Sequence, residues 1–389
     1  VTPLGQGQVT VDVAAGVATD AAGNFNTAAQ FTSTYDTTAP SITISSSAGS
    51  ATNISPIPVT FTFNESVTGF TLADISVTNG TASNLNTTDN MTFTATIAPS
   101  SQGNVRVNVA AGVVSDTAGN GNTAAAEFVC AYDTTRPSAS ILSSAAAYIT
   151  STFNVNIQFS EVVTGFALDD ITVANGTASN ITTADNRNYS VTITPTNQGT
   201  VTVNVSTNAA YDAAGNGNTL VNAMTRVYDT IGPNVTIDST AGSYTNISLI
   251  PVSITFNENV TDMQISDITV TNGTAGMLRG SGSTYTISIA PIGEDQITIS
   301  IGSGSVIDAA GNANYESNEY TLIYDITSPI LSISSSSNNV TNTSPIPVTF
   351  TFNEAVTGFT LADITVTNGT ASNLNNTDNM TFTATITPS

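Results

Sequence analysis

The chain repeats itself every 96 or 97 residues, and this period restricts the fold before any single residue is considered. Tyr-Asp pairs end in Asp36, Asp133, Asp229 and Asp325. A second column holds Glu65, Glu161, Glu258 and Glu354. A third holds Asp74, Asp170, Asp267 and Asp363, each followed by Ile. A fourth holds Asp20, Asp116, Asp212 and Asp308, each opening an Asp-x-Ala-Gly-Asn segment. Tandem units of this kind build an array in which each unit contacts its neighbours. Length, stiffness and the junctions between units are therefore expected to carry function, ahead of any pocket.

Within one unit the apolar residues alternate with period two. Val59, Phe61 and Phe63 share one face of the segment 57–63, with Thr60 and Thr62 on the other. Met91, Phe93, Ala95 and Ile97 form a second row, and Val105, Val107 and Val109 a third. Short strands are also expected at 40–46, 75–78 and 126–132, with Asn79-Gly80 as a hairpin-type turn. No helical period is present. About seven short strands in roughly 100 residues predict an all-β chain of tandem immunoglobulin-like β-sandwich domains in an extended array. The complete units are expected at 37–133, 134–229 and 230–325. Partial ones are expected at 1–36 (the last two strands) and 326–389 (the first strands), so both ends fall inside a sandwich. Residues 53–100 recur at 342–389 with five differences, which points to recent duplication and an expandable array.

Composition narrows the function classes. There are 28 acidic residues against five basic ones, for a net charge of −23. Such a surface is repelled by nucleic acid and by anionic membranes, so neither is expected as a partner. No stretch reaches the roughly 18–20 apolar residues of a membrane span, so direct insertion is not expected. Histidine is absent, which removes Ser-His-Asp and Cys-His catalysis; with no phosphate-binding loop either, no catalytic site is expected. Cys130 is the sole cysteine and sits in an apolar run, as a small core residue would. The Tyr of each Tyr-Asp pair is read as closing the last strand against the core.

The four acidic columns account for 16 of the 28 acids. With immunoglobulin-like connectivity, the loop after the second strand and the loop before the last strand lie at the end where the chain enters. Asp36, Glu65, Asp74 and Asp116 then meet at one inter-domain junction. Asp133, Glu161, Asp170 and Asp212 meet at the next, followed by Asp229, Glu258, Asp267 and Asp308. Asp325, Glu354 and Asp363 remain at the last, and Asp20 is the matching member at the start. Taken singly, each Asp is the ordinary choice for a turn. Four carboxylates together repel one another unless a cation neutralises them. Oxygen ligands without His or Cys suit Ca²⁺, which takes about 6–8 oxygens, better than Mg²⁺ or Zn²⁺. Backbone carbonyls near Gly119 and the Asn120 side chain are expected to complete the shell.

The run Phe-x-Glu-x-Val-Thr-Gly-Phe, then Asp-Ile-Thr-Val-x-Asn-Gly-Thr, Asp-x-Ala-Gly-Asn-x-Asn-Thr and Tyr-Asp-Thr-Thr-x-Pro, resembles the Ig-like repeats of giant bacterial surface adhesins of the biofilm-associated and gliding-motility types. The resemblance covers the whole chain. It implies an extracellular or cell-surface location, a stalk that projects an adhesive tip towards a surface or glycan ligand, and calcium held by Asp36/Asp116, Asp133/Asp212 and Asp229/Asp308. The third unit departs from the pattern, with Asp262 at the position of Gly69 and Asn314-Tyr315 after the turn. The leading expectation is a non-enzymatic stalk of roughly 35–45 Å per unit, about 150 Å over four periods, whose partners along its length are the flanking repeats. The alternatives are a module that binds glycans directly and a filament subunit completed between chains.

Overall fold

The computed structural model describes residues 1–389, and every regular element longer than a single turn is a β-strand. The first strands, β1 (Gly7–Val13) and β2 (Ala29–Tyr35), pair antiparallel as a two-stranded sheet. The first complete sandwich then follows with β3 (Ile42–Ser45), β4 (Ala51–Thr52), β5 (Ile57–Phe63), β6 (Ile75–Thr78), β7 (Gly80–Thr87), β8 (Thr92–Pro99), β9 (Gly103–Val109) and β10 (Phe128–Tyr132). One sheet has the order β3-β5-β8-β7 and the other β4-β10-β9-β6. All pairs are antiparallel except β4 with β10. This is the two-sheet arrangement of an immunoglobulin-like domain, with its first strand split between the sheets. The segment 134–229 repeats it, 230–325 repeats it with the equivalent of β7 broken into Gly273–Ala275 and Arg279–Ser281, and 326–389 forms one four-stranded sheet.

Alternation explains the core. Ile57, Val59, Phe61 and Phe63 are buried on β5, Phe93, Ala95 and Ile97 on β8, and Val105, Val107 and Val109 on β9. Met91, expected in the β8 row, is exposed because it belongs to the turn before that strand. The loop after β5 folds back and buries Val67 and Phe70. Phe70 meets Phe61, Phe63 and Phe93 edge-to-face at centroid distances of 5.4, 5.4 and 5.0 Å. Each such ring contributes about 1.5–3 kcal/mol by burial and about 0.5–1.5 kcal/mol per edge-to-face pair. Met263 fills the place of Phe70 in the third unit and is also buried. Cys130 is fully buried, and its burial pushes the thiol pKa up. Tyr132 packs half-buried on the same core.

Two features differ from the sequence expectation. Asn79-Gly80 is no hairpin, because β6 and β7 belong to different sheets. Asn79, at φ 59°, is the point where the chain crosses between them. Strand β7 itself has no apolar alternation, because a register shift between Ser83 and Asn86 interrupts its pairing with β8, with Asn84 between them at φ 54°. In the third unit Asp262 adopts φ 60°, where Gly69 has 86°, a conformation that Asp tolerates better than most residues. The chain divides into two compact units, Val1–Thr230 and Ile231–Ser389.

Candidate metal centre

The turn that begins at Asp116 is built by its own carboxylate. Ala118 and Asn120 donate backbone N–H groups to Asp116 Oδ1, both at 2.8 Å. Asn120 Nδ2 donates to Asp116 Oδ2 at 2.8 Å and to the carbonyl of Asp36 at 3.1 Å. The Asn120 side chain thus ties the linker carbonyl of Asp36 to the Asp116 carboxylate through its Nδ2. Asp20, Asp212 and Asp308 organise their turns through the same contacts to the residues two and four further on. Asp116 and Asp212 are buried, each 5 % exposed.

Two further carboxylates are carried to this turn by different segments. Burial of Val67 and Phe70 anchors the loop that holds Glu65. Thr68 and Ser115 then exchange backbone hydrogen bonds at 2.8 and 3.4 Å, placing that loop against the turn. The linker arrives from the other side, where Thr123 N–H donates to the Pro40 carbonyl at 2.8 Å. As a result, carboxylate oxygens of Asp36, Glu65 and Asp116 lie within 4.8 Å of one another. Asp133, Glu161 and Asp212 form a second group by the same limit, with the bridge now between Thr164 and Tyr211. Neither group has a cationic side chain paired with it; the ion pair Arg106–Glu127 lies elsewhere. Asp229 lies one residue before the end of the first compact unit, while Glu258 and Asp308 hold the corresponding positions within the second. Asp325 Oδ1 accepts from Thr327 N–H at 2.9 Å, and Glu354 Oε1 is buried without a hydrogen-bond partner.

The third column does not join these groups. Asp74 Oδ2 accepts from both the N–H and the hydroxyl of Thr71 at 2.8 Å, capping the short 3₁₀ turn Leu72–Asp74. Asp170, Asp267 and Asp363 cap equivalent turns through Ala167, Gln264 and Thr360. Their carboxylates are held by donors three residues away, and Asp74 and Asp170 are outside both acidic groups.

The electrostatics of each group are uneven. Burial, then the charges of Asp116 and Asp36, push the Glu65 pKa above its ordinary 4.5. Burial, then Asp212 and Asp133, do the same to Glu161. Hydrogen bonds led by Asn120 hold Asp116 below its ordinary 3.8. The raised glutamates stabilise the fold below about pH 4.5 and lose that contribution as the pH rises through their folded values. The lowered aspartates, including Asp20, Asp89 and Asp185 (to about 2), contribute above 3.8 and lose it as the pH falls through their folded values. In EDTA, the thermal midpoint is therefore expected to rise on acidification from pH 7 towards about 4.5, then fall below about 3.8. A midpoint that falls steadily from pH 7 would contradict the glutamate assignment.

Two residue columns shape the site beyond the acids: the last Asn of the Asp-x-Ala-Gly-Asn-x-Asn motif, whose role the motif alone does not reveal, and a column absent from the motifs. Asn122, in the segment after Asp116, is 3 % exposed. Its Oδ1 accepts from the N–H groups of Val113 and Val114, and its Nδ2 donates to the carbonyls of Ala110 and Thr123. Asn218 and Asn314 are buried in the same role, and Asn26 makes the equivalent contacts in an exposed setting. The second column is Gln6, Gln102, Gln198 and Glu294. Gln102 Oε1 accepts from Thr134 N–H at 2.7 Å and its Nε2 donates to Thr135 Oγ1 at 2.6 Å, which pins the linker beside Asp133. Gln6, Gln198 and Glu294 accept from Thr37, Thr230 and Ile326 in the same way. A spacing of 96 residues connects all four and was the available signal.

A family model described as "Bacterial Ig-like domain" matches residues 36–131, 133–227, 229–323 and 325–389. No match was found among curated proteins. Among solved structures, the chain is similar to invasin, described as a bacterial integrin-binding protein, at 14 % identity over 90 % of this chain and 74 % of that one, with a TM-score of 0.37. It is similar to a tetra-tandem repeat from the extending region of a large adhesion protein at 18 % identity over 81 % of each chain, TM-score 0.27. A Yersinia pseudotuberculosis adhesin matches at 16 % identity over 49 % of this chain and 59 % of its own, TM-score 0.20. The family model covers most of the chain in four successive copies, and the chain belongs to the bacterial Ig-like domain family.

Proposed function

We propose that this chain is a non-catalytic stalk segment of a bacterial surface adhesin, with calcium bound at the boundaries between its domains. One observation carries the metal reading. Three carboxylates from three separate segments, the linker, the loop after β5 and the turn before β10, are held within 4.8 Å of one another. No cationic side chain neutralises them, so the folded junction stores repulsion that a divalent ion would remove. The donor set is all oxygen, which fits a hard cation. The orphaned, buried Glu354 Oε1 adds a further oxygen in need of a positive partner. Asp36, Glu65 and Asp116 would hold one ion, and Asp133, Glu161 and Asp212 another. Bound there, calcium would supply charge neutralisation and a tie between the linker and the body of the next domain.

The stalk reading rests on the fourfold match to an Ig-like repeat and on the placement of the acids at boundaries rather than in a cleft. No helix is long and apolar enough to cross a membrane. Adhesion itself would belong to a tip that recognises a surface or glycan, with the location extracellular or at the cell surface. Small-angle scattering during chelator titration tests the combined reading. The maximum dimension should be about 150 Å in calcium and shorter, with a broader distance distribution, in EDTA. Identical curves, together with an unchanged thermal midpoint, would refute calcium stiffening.

A further inference from the structure

The linker is not the sole connection between domains 37–133 and 134–229. Strand β4 runs parallel to β10, and Asp133 N–H donates to the Thr52 carbonyl at 3.0 Å. The loop after β4 and the linker therefore leave the base of the first domain side by side. Asn53, at the start of that loop, reaches across the boundary. Its backbone N–H donates to the Ala214 carbonyl at 3.0 Å, and its Nδ2 donates to Asn216 Oδ1 at 3.1 Å. Ala214 and Asn216 are buried, 9 % and 7 % exposed. They lie inside the Asp212 turn, where both donate backbone N–H groups to Asp212 Oδ1.

Asn216 is the hinge of this arrangement. Its Nδ2 donates to the Asp133 carbonyl at 2.9 Å and to Asp212 Oδ2 at 2.8 Å. Its Oδ1 is taken by Asn53. One carboxamide thus ties together the linker, an acid of the second group and the body of the preceding domain. With both ends of the amide engaged, its orientation is set, and with it the orientation of Asp212 Oδ2. Arg136 adds a contact from the linker side, donating to the carbonyls of Gly217 and Asn218 at 2.7 and 2.8 Å. At the preceding boundary the position of Arg136 is held by Ala39, which has no such side chain.

We propose that Asn53 is a positioning residue for the metal group of the next domain, and that it couples cation binding there to the angle between domains 37–133 and 134–229. The proposal rests on the calcium reading for Asp133, Glu161 and Asp212. Coupling of this kind is reciprocal: if calcium fixes the angle, the contact that fixes the angle also favours calcium. Asn53 is half-buried on a loop and touches none of the three carboxylates directly, so its loss leaves the ligand set intact.

The test uses the full chain, wild type and Asn53→Ala, with Asn53→Ser as a second truncation should the first fold poorly. Two readouts are combined. Calcium binding is followed calorimetrically, and the inter-domain distance distribution is measured by spin labels on exposed strands of the two domains. Loss of one hydrogen bond of this type predicts about fivefold weaker calcium affinity at this boundary. The distribution should broaden in EDTA and narrow only partly in calcium. Unchanged affinity with an unchanged distribution would overturn the proposal. Absence of calcium binding by the wild type would refute the metal reading. A broader distribution for Asn53→Ala in EDTA would then still establish Asn53 as an inter-domain clamp, so the two failures are distinguishable.

Discussion

Asn218→Ala is expected to cost domain 134–229 about 3–5 kcal/mol. Asn218 is fully buried, and its side chain meets one backbone N–H and two carbonyls: Ala210 N–H at 2.9 Å, and the oxygens of Ser206 and Thr219, both at 2.9 Å. Truncation orphans all three, and each buried unsatisfied group costs about 1–3 kcal/mol, part of which entering water recovers. The substitution also removes the staple that closes the segment 206–219, in which Asp212 sits. Ligand positioning should therefore fail together with stability. Asn218→Asp should be nearly as damaging although isosteric, because a carboxylate oxygen would face the two carbonyls that Nδ2 now serves. Denaturant titration with residue-resolved hydrogen exchange checks this. Protection lost across 206–219, with domain 37–133 unaffected, is the expected pattern. A stability change below about 1 kcal/mol would show that the staple is dispensable.

Glu161→Gln should act in opposite directions with and without calcium. Burial and the neighbouring charges of Asp212 and Asp133 raise the Glu161 pKa, so in the metal-free protein this carboxylate is a source of repulsion. The neutral amide removes it, and the thermal midpoint in EDTA should rise at neutral pH. In calcium the same change removes a charged ligand, and affinity at this boundary should fall by on the order of 10- to 100-fold. The crossing of the two effects is diagnostic. A residue with a purely structural role would lower both midpoints, and a surface acid of no consequence would change neither. Glu65→Gln should reproduce the result at the Asp36/Glu65/Asp116 group, whose Glu65 is raised by the same causes. Calorimetry with each variant and with the pair checks both arms. A fall in the EDTA midpoint for either variant would contradict the repulsion on which the metal reading depends.

The all-β character and the tandem immunoglobulin-like units were legible because strand burial has a period of two residues. Ile57, Val59, Phe61 and Phe63 could be assigned to one face from their spacing alone. Strand β7 was not legible. Its pairing rests on backbone hydrogen bonds around Asn84 at positive φ, which leave no apolar alternation to read. The same limit separated the acidic columns. Repetition marked all four equally, because copying a unit copies every residue in it. Asp74 and Asp116 nevertheless ended in different surroundings, one alone in its turn and one beside two other carboxylates.

The sequence by itself determined the period, the apolar faces and the set of acids that recur with them. Only the tertiary structure decided which acids meet. Asp74 Oδ2 accepts from the Thr71 donors three residues away, and no other carboxylates are brought to it. Asp116, Glu65 and Asp36 are brought together by the Thr68–Ser115 bridge, the buried Val67 and Phe70, and the linker contact to Asn120. Those contacts span 84 residues in the case of Asn120 and Asp36, so no local pattern records them. Asp74 and Asp116 both cap their own turns; what separates them is whether the fold carries two other carboxylates to that turn, and that is a property of the folded chain.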